Sequence, residues 1–596
     1  MKTLGYLLVT LAVMLSFTIN QASIALERGS HLKIRTRNQL TEQIREYLTK
    51  EMSKEKIAGL SVAIVDSAGV LLSDGLGYAD RENGLRADSR TVFPIASITK
   101  TFTGIAVMQL VEKGLVDLDK PVAHYIPELS LPNGEENLIT TRMLLTHHSG
   151  IHGDILYNWY LPTVSKNPLV YEEIVDLINE TGTIFPPGKL HSYSNAGYSL
   201  LGVLIHNVSG KGYVEYVRSQ IFEPLGMENS MIFAGEQTDA VISKGYFRKE
   251  STSMPMKLGI PAGGIALTSD DAATYLTSII DAYHEGNSLL KSETMKQMMT
   301  WQNDDIPLDE GFSMGLTWFL EHPANEVTKY VAHRGELPPY HSMMVILPDL
   351  KIGVYVCVNT NKAADVPGEM AHKIAKDLYR YRTGRSIPKP GEKEEIFVSK
   401  EYLKQYEGVY PNVYFGPMKV LLKGKKLVVK SPVMPTPLVL IPLEDTTFSL
   451  KARMLGINFS VSMLDALKVE FRKYRSETYM YFIIQNSMLN PNLKIEPFAL
   501  PGEYERYAGK YRVINMENSD RVVKDIQIDI RKNRNFALFK YTFLGRHQFN
   551  MVLQPIDGQH AKFAGIGYFT GDKIRWETQD GRILMYWSGL ELEQVK

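Results

Sequence analysis

Ser97-Ile98-Thr99-Lys100 stands at the head of a strongly helical segment. Residues three apart lie on one face of a helix, so the amine of Lys100 can reach the hydroxyl of Ser97. A serine is a weak nucleophile until a neighbouring base takes its proton. A lysine can be that base only when burial or nearby positive charge keeps it neutral near pH 7. This stretch therefore predicts a nucleophile–base pair at the start of a helix.

The context of this stretch matters more than its spacing. Serine and lysine stand three residues apart at five places, which begin at Ser30, Ser53, Ser97, Ser288 and Ser386. Only Ser97 precedes a long amphipathic run, and Gly114 ends that run as a helix C-cap would. The backbone amides and the dipole at a helix N-terminus favour a developing negative charge. We therefore single out Ser97 as the candidate nucleophile.

The composition is that of a globular protein with balanced charge. The chain has 596 residues, of which 44% are hydrophobic and 22% charged, enough for several well-packed domains. Lys+Arg and Asp+Glu number 66 each, so bulk charge gives no reason to expect a nucleic-acid partner. The single cysteine, Cys357, excludes an intrachain disulfide, and its apolar neighbours predict a buried strand position rather than a reactive thiol.

Residues 1–25 have the pattern of a secretory signal peptide. Lys2 precedes a short apolar stretch from Leu4 to Phe17, and small and polar residues follow it. The stretch is short for a membrane span, which needs about 20 apolar residues, although an uncleaved anchor stays open as an alternative. We expect a secreted or cell-envelope protein.

Periodicity predicts an α+β domain over residues 38–382. The pattern gives, in chain order, a helix at 40–56, strands at 59–66 and 70–75, a largely helical middle from 97, strands at 342–347 and 352–358, and a helix at 366–381. Strand pairs at both ends of a helical middle indicate an antiparallel sheet flanked by helices.

The remainder of the chain is predicted to form two all-β barrel modules. A linker rich in proline, glycine and charge occupies 383–395. Beyond it, Leu403, Tyr406, Gly408 and Tyr410 recur as Tyr504, Tyr507, Gly509 and Tyr511, each at an offset of 101 residues. A fixed offset indicates two copies of one module, at 396–500 and 501–596. We expect each module to fold on a core of its own.

Two further segments carry residues suited to the same chemistry. Tyr193-Ser194-Asn195 precedes a helical run, and there a phenol could relay a proton while an amide could bind a carbonyl and orient Lys100. The pattern is weak by itself, because Tyr410-Pro411-Asn412 also fits it. His333-Arg334-Gly335 precedes the predicted strand pair at 342–358, where a strand edge could dock an extended substrate and supply an N–H to an oxyanion. A loop histidine beside a surface arginine is the alternative.

In this order, Ser97-x-x-Lys100, Tyr193-Ser194-Asn195 and His333-x-Gly335 resemble the serine β-lactamase and penicillin-binding-protein superfamily. The similarity is to its class C-type, family S12 peptidase-like branch, and it covers about residues 38–380. The stretches 93–100, 139–150 and 261–269 agree with it. The tail is similar, more loosely, to the barrel modules of D-aminopeptidases. The resemblance implies a β-lactamase/transpeptidase-like fold.

The resemblance also implies roles for individual residues. Ser97 would form the acyl-enzyme, while Lys100 and Tyr193 would share general acid–base work. Asn195 would bind substrate, and the amides of Ser97 and Glu336 would form the oxyanion hole. His333, next to Gly335, would take the place of the lysine in the more familiar K-T-G strand. The bulky Arg334 and Glu336 depart from the small residues usual there, which leaves the substrate class open.

Several functions stay open at this point. We expect a hydrolase that needs no cofactor or metal and that acts on a peptide, ester or β-lactam, with cell-wall peptides among the candidates. Peptidase activity on D-amino-acid or peptidoglycan-like peptides is preferred, with carboxylesterase and β-lactamase as alternatives. A penicillin-binding sensor or scaffold that acylates without turnover is a further alternative. His147, His148 and His152 suggest a metal site, but the resemblance implies that they lie in a structural loop, so the spacing of His148 and His152 is not that of a helical H-x-x-x-H pattern.

Overall fold

A computed structural model describes most of the chain from residue 36 onward. The described residues are 36–154, 156, 171–233, 240–247, 250–252, 259–321, 329–387, 393–434, 436–444, 446–454, 457–459, 467–484, 487–488, 491–496, 498–516, 519, 523–531, 536–543, 547–566 and 571–595. The predicted signal peptide at 1–25 lies outside them. None of the described helices combines the length and the apolar character needed to cross a bilayer.

An eight-stranded antiparallel sheet organises the first domain. The strands of this domain are Gly59–Asp66 (β1), Gly69–Asp80 (β2), Leu85–Arg86 (β3), Phe93–Pro94 (β4), Met231–Ile232 (β5), Gly245–Phe247 (β6), Glu250–Thr252 (β7), Ile265–Leu267 (β8), Ser313–Met314 (β9), Phe319–Glu321 (β10), Tyr330–Leu337 (β11), Tyr340–Leu347 (β12) and Ile352–Val358 (β13). The large sheet has the order β3-β2-β1-β13-β12-β11-β10-β9, so strands from the two ends of the domain pair in the middle of the sheet.

Helices cover both faces of this sheet. The helices of the domain are Arg37–Glu55 (α1), Thr99–Glu112 (α2), Thr141–Leu145 (α3), Tyr171–Thr181 (α4), Asn195–Ser209 (α5), Tyr213–Val217 (α6), Glu223–Leu225 (α7), Ile260–Gly263 (α8), Ser269–His284 (α9), Ser292–Met298 (α10) and Val366–Thr383 (α11). Helix Lys400–Lys404 (α12) belongs to the first module. Helices α1 and α11 pack their apolar residues, among them Ile44 and Ile374, on one face of the sheet. The helical middle, including α2, packs on the other face.

The helix that follows the candidate nucleophile is the central helix of the domain. Every residue of α2 from Thr99 to Leu110 is buried, which is the pattern of a helix enclosed on all sides. The sequence predicted this helix and its end, and Gly114 has the positive φ of 70° that a helix-ending glycine adopts. The predicted amphipathic character is wrong, because no residue from Thr99 to Leu110 faces solvent. The nucleophile therefore directly precedes a fully packed helix.

Two β modules follow the α+β domain, as predicted. The first is a nearly closed antiparallel sheet formed by Gly408–Asn412 (β14), Gly416–Lys423 (β15), Lys426–Lys430 (β16), Leu438–Pro442 (β17), Phe448–Met454 (β18), Ile457–Phe459 (β19), Leu467–Tyr474 (β20), Glu477–Ile484 (β21), Ser487–Met488 (β22) and Asn492–Leu493 (β23). The second is a closed barrel formed by Gly509–Val513 (β24), Val523–Arg531 (β25), Phe536–Phe543 (β26), His547–Pro555 (β27), His560–Phe563 (β28), Lys573–Gln579 (β29), Arg582–Trp587 (β30) and Leu590–Val595 (β31).

The internal repeat corresponds to a repeated contact. In the first module the Tyr410 hydroxyl donates to the carbonyl of Tyr406 at 3.0 Å, and in the second the Tyr511 hydroxyl donates to the carbonyl of Tyr507 at 2.8 Å. The glycine between each pair of tyrosines has a large positive φ, 156° in the first module and 141° in the second. The repeated residues therefore form the same local structure twice.

The modules share apolar contacts with the first domain. Tyr479 and Tyr481 of the first module cluster with Phe185 and Leu190 of the first domain. The buried core of the second barrel is continuous with the large core of the first domain. The second barrel closes on itself and also packs against the first domain, and the expectation that each module folds on a core of its own stays a prediction.

Cys357 lies near the C-terminal end of β13 and is fully buried, as predicted. Burial raises the pKa of its thiol to about 12. A thiol with such a pKa is protonated at neutral pH and is a poor nucleophile, so Cys357 is a packing residue.

Candidate active site

The candidate nucleophile lies on a short turn that the sheet holds in place. Ser97 is in the 3-10 turn Ala96–Ile98, directly before α2, and Ala96 has a positive φ of 51°. Such a conformation is uncommon for a residue with a side chain and persists where surrounding contacts support it. One such contact is the hydrogen bond that the Ser342 hydroxyl of β12 donates to the Ile95 carbonyl at 2.7 Å.

Gly335 allows strand β11 to lie against this turn. A Cβ atom at Gly335 would lie 2.1 Å from the Ile95 carbonyl oxygen and 2.2 Å from the Ser342 hydroxyl. Both distances are far below van der Waals contact, so only glycine fits here without movement of the backbone. The glycine of His333-x-Gly335 thus brings the strand next to the residues that carry Ser97.

Lys100 lies inside the domain with its amine surrounded by three oxygen atoms. Its Nζ is 3.1 Å from Ser97 Oγ, 2.6 Å from Asn195 Oδ1 and 2.7 Å from the carbonyl oxygen of Ala262. The side chain is fully buried. The serine–lysine pair predicted from spacing is therefore in contact, and Asn195 joins it as expected.

Burial lowers the pKa of Lys100 well below its ordinary value, and the Asp154 carboxylate works in the opposite direction. None of the three oxygen partners carries a charge. A neutral amine has two N–H donors and one lone pair. Asn195 and Ala262 can accept the two hydrogens, which leaves the lone pair for the hydroxyl hydrogen of Ser97. This arrangement is that of a general base.

Tyr193 also contacts the candidate nucleophile, Ser97. Its phenol is hydrogen-bonded to Ser97, and its ring centre lies 4.8 Å from Lys100 Nζ. Burial raises the pKa of Tyr193 well above its ordinary value, against the effect of the hydrogen bond with Ser97. The phenol is therefore protonated at neutral pH and can donate a proton rather than withdraw one.

Asp154 is a residue of the site that the sequence did not reveal. Asn195 Nδ2 donates to Asp154 Oδ1 at 2.8 Å, so the amide oxygen of Asn195 faces Lys100. The second barrel contacts the same loop, because the Ser588 hydroxyl donates to the Asp154 carbonyl at 3.3 Å and accepts from the Leu156 amide at 2.9 Å. An aspartate in a loop has no motif around it, and only the fold brings it to Asn195.

His333 lies within strand β11 and pairs with Met344 of β12. The sequence placed it before a two-stranded pair, whereas β11 is a third strand beside that pair. Burial lowers the pKa of His333 to about 3. Its Nδ1 lies 2.9 Å from the Arg334 carbonyl, which can only accept, so Nδ1 carries the hydrogen and Nε2 is left as an acceptor. His333 is thus neutral, unlike the lysine of a K-T-G strand.

The Arg334 guanidinium is hydrogen-bonded to other groups of the protein. Its Nη2 donates to the carbonyl of Ala364 at 2.9 Å and to the Asp365 carboxylate at 3.1 Å, and it lies 4.0 Å from the Glu336 carboxylate. Burial raises the pKa of Asp365 to about 7, although Arg334 acts to lower it. Glu336 follows Gly335 in β11 and pairs with His341. The charged residues that depart from the family pattern therefore neutralise one another in part.

The three histidines considered as metal ligands bind different partners. His147 Nδ1 accepts from the Ser194 amide at 3.0 Å, and His148 Nε2 lies 2.5 Å from the Asp309 carboxylate. His152 Nδ1 lies 3.1 Å from the Thr181 hydroxyl. Within the described ranges, no group of three or more histidine, cysteine, aspartate or glutamate residues is arranged to hold a metal ion.

Comparisons with known proteins agree with this geometry. The sequence profile of the Beta-lactamase family matches residues 44–378, which is more than half of the chain. Protein flp of Staphylococcus aureus (strain N315) is 26% identical over 361 residues, which cover 59% of this chain and 70% of that protein. Penicillin-binding protein 4* of Bacillus subtilis (strain 168) is 25% identical over 430 residues, which cover 67% of this chain and 90% of that protein.

Solved structures extend the similarity beyond the first domain. The octameric penicillin-binding protein homologue from Pyrococcus abyssi superimposes with a TM-score of 0.52 at 27% identity, and covers 76% of this chain and 99% of its own. SurE, solved with D-Leu, superimposes with a TM-score of 0.58 at 19% identity, and covers 77% of this chain and 100% of its own; at that identity the likeness is one of fold. With its family match and its serine–lysine–tyrosine site, this chain belongs to the Beta-lactamase family.

Proposed function

We propose that the protein is a serine hydrolase that acts through an acyl-enzyme on Ser97, on amide or ester bonds of D-aminoacyl or peptidoglycan-like peptides. The observation that carries this proposal is the contact of Lys100 with Ser97 and two neutral oxygen atoms. Family membership supports the hydrolase class. The signal-like segment at 1–25 supports the further proposal that the protein acts outside the cytoplasm.

The proposed acylation starts with proton transfer from Ser97 to Lys100. Ser97 Oγ attacks the substrate carbonyl carbon, and the carbonyl oxygen becomes an oxyanion that the amides of Ser97 and Glu336 would stabilise. Tyr193 donates its proton to the leaving amine or alcohol as the bond to the carbonyl carbon breaks. Lys100 returns a proton to Tyr193, so the proton balance of the site is restored.

Hydrolysis of the acyl-enzyme completes the proposed cycle. A water molecule attacks the acyl carbon and gives a proton to Lys100, and the bond from that carbon to Ser97 Oγ breaks to release the acid product. Tyr193 donates its proton to Ser97 Oγ, and Lys100 returns a proton to Tyr193. The alternative of a penicillin-binding sensor shares the first half-reaction only. Pre-steady-state kinetics with an activated ester separate the two, because a sensor gives one burst of product and then stops.

Charge at the site supports substrates without a carboxylate beside the scissile bond. His333 is neutral and presents an acceptor, and Arg334 is bound by Asp365. Lys100 is neutral as well. We therefore propose D-aminoacyl amides and esters ahead of β-lactams, because recognition of the carboxylate that a β-lactam carries would need a cation in the site. SurE was solved with D-Leu, which supports a D-amino-acid substrate.

A panel of substrates tests the proposal. Purified protein lacking residues 1–25 is assayed with D-aminoacyl p-nitroanilides, their L-enantiomers, short-chain p-nitrophenyl esters and a chromogenic cephalosporin. We expect turnover of D-aminoacyl substrates with kcat/KM at least about tenfold above that for the L-enantiomers and the cephalosporin. Turnover confined to esters, or to the cephalosporin, would replace the peptidase assignment by one of the two alternatives.

His333→Lys is expected to raise the rate of acylation by benzylpenicillin by about tenfold, because a cation beside the site would pair with the drug's carboxylate. The measurement is the second-order rate of acylation followed by intact-protein mass spectrometry. His284→Lys is the control, since His284 lies on α9 and bonds the Pro348 carbonyl. An unchanged rate in a His333→Lys protein that still hydrolyses esters would show that charge at this position does not select the substrate.

A further inference from the structure

We infer that His147 is a positioning residue for Tyr193, an inference that rests on the proposed function. Three contacts connect His147 with Tyr193 and its two neighbours in the chain. The His147 carbonyl accepts from the Ser192 amide at 2.8 Å, and His147 Nδ1 accepts from the Ser194 amide at 3.0 Å. Between these hydrogen bonds, the imidazole and the Tyr193 ring pack with their centres 4.2 Å apart. One residue thus holds the backbone on both sides of the phenol.

The backbone of His147 is unusual in a way that fits this role. Its φ is 62°, in the left-handed region that residues with side chains seldom adopt. Such conformations persist where the surrounding structure supports them, and they are frequent at functional sites. Here the supporting contacts are those that the carbonyl and the ring make with the 192–194 segment.

The hydrogen bonds also fix the protonation of the ring. The Ser194 amide is a donor, so Nδ1 must be the unprotonated nitrogen and Nε2 carries the hydrogen. Protonation would place two N–H groups face to face and add a charge near Lys100. Burial lowers the pKa of His147 well below its ordinary value, in agreement with this geometry. His147 therefore remains a neutral acceptor throughout the working pH range.

The consequence for catalysis is geometric. Tyr193 must keep its phenol on Ser97 while its ring covers Lys100. If the 192–194 segment loosens, the phenol loses alignment, and water gains access to the Lys100 amine. The first effect lowers kcat, since misplacement of a catalytic group by about 1 Å can cost about 100-fold. The second raises the pKa of Lys100 toward its ordinary value.

Paired variants separate the acceptor from the packing ring. His147→Phe keeps a ring and removes the acceptor, whereas His147→Asn keeps an acceptor and tolerates positive φ. We expect His147→Phe to lower kcat for an activated ester by about 100-fold with KM changed less than about threefold, and to move the acidic limb of the pH profile to higher pH. The kcat of His147→Asn should be at least about tenfold higher than that of His147→Phe. His206→Phe is the matched control, because His206 lies on α5 and stacks on Tyr171 of α4, with the ring centres 4.3 Å apart.

A purely structural role gives a different result. In that case His147→Phe lowers the melting temperature and the amount of active protein, but the pH profile of the remaining activity is that of the wild type, and the inference is wrong. Nitrogen NMR of 15N-histidine-labelled wild-type protein supplies a test without a variant. An unprotonated Nδ1 that does not titrate between pH 5 and 9 supports the inference, and a protonated Nδ1 overturns it. This measurement does not need activity, so it tests the inference even if the wild type proves inactive and the proposed function fails.

Discussion

Ser97→Ala is expected to abolish hydrolysis of activated esters and D-aminoacyl substrates, with kcat reduced at least about 10³-fold. The reason is that Ser97 Oγ is the atom that Lys100 contacts and that Tyr193 bonds, so the variant has no group in its place to accept the acyl chain. Steady-state assays at substrate saturation measure the loss, and circular dichroism confirms that the variant is folded.

Ser288→Ala is the matched control for this variant. Ser288 also precedes a lysine by three residues, but it is exposed, and it lies outside a helix. We expect its kcat to stay within about twofold of the wild type, because surface substitutions away from a site have small effects. Activity retained in Ser97→Ala, or lost in Ser288→Ala, would place the nucleophile elsewhere.

Lys100→Met is expected to lower kcat by about 10²–10⁴-fold, the usual size of a lost general base. In the wild type, kcat/KM should fall as pH falls through the depressed pKa of Lys100, because protonation removes the lone pair that activates Ser97. Lys113→Met, at the exposed C-terminal end of α2, should leave both the rate and the pH profile unchanged. An acidic limb that persists unaltered in Lys100→Met would assign that limb to another group.

Lys100→Met is also expected to change how the free energy of unfolding depends on pH. The pKa of Lys100 is lower in the folded protein than the ordinary value of 10.5, so the unfolded chain binds more protons between the two values. The free energy of unfolding of the wild type therefore rises with pH in that interval, relative to Lys100→Met. Urea denaturation at pH 7 and pH 9.5 measures the difference. Parallel changes in the two proteins would mean that Lys100 keeps its charge when buried.

The residues of the nucleophile turn could be found from sequence because their spacing along one helix determines their contact. Ser97 and Lys100 are one turn apart, and Gly114 follows the helix that begins directly after the turn of Ser97. The repeated tyrosines and glycines of the modules were equally visible, since a fixed offset needs no knowledge of the fold. Local structure of this kind depends on neighbouring residues alone.

Contacts made across the fold were not predictable in the same way. Ala262 binds Lys100 through its backbone carbonyl, which has no signature in the sequence. Asp154 and His147 reach the site from loops and act through Asn195 and the 192–194 segment. His333 was identified, but its neutral state follows from burial and from the Arg334 carbonyl. These properties arise from tertiary packing and not from the residue type.

Formation of the proposed acyl-enzyme on Ser97 depends on a neutral Lys100 as its base. The most direct measurement is trapping of wild-type protein with a fluorophosphonate probe at pH values from 5 to 10, followed by peptide mapping with mass spectrometry. We expect one adduct on Ser97, formed at a rate that increases as Lys100 loses its proton and that reaches its plateau well below pH 10.5. An adduct on another serine, or a rate that rises only near pH 10.5, would contradict it.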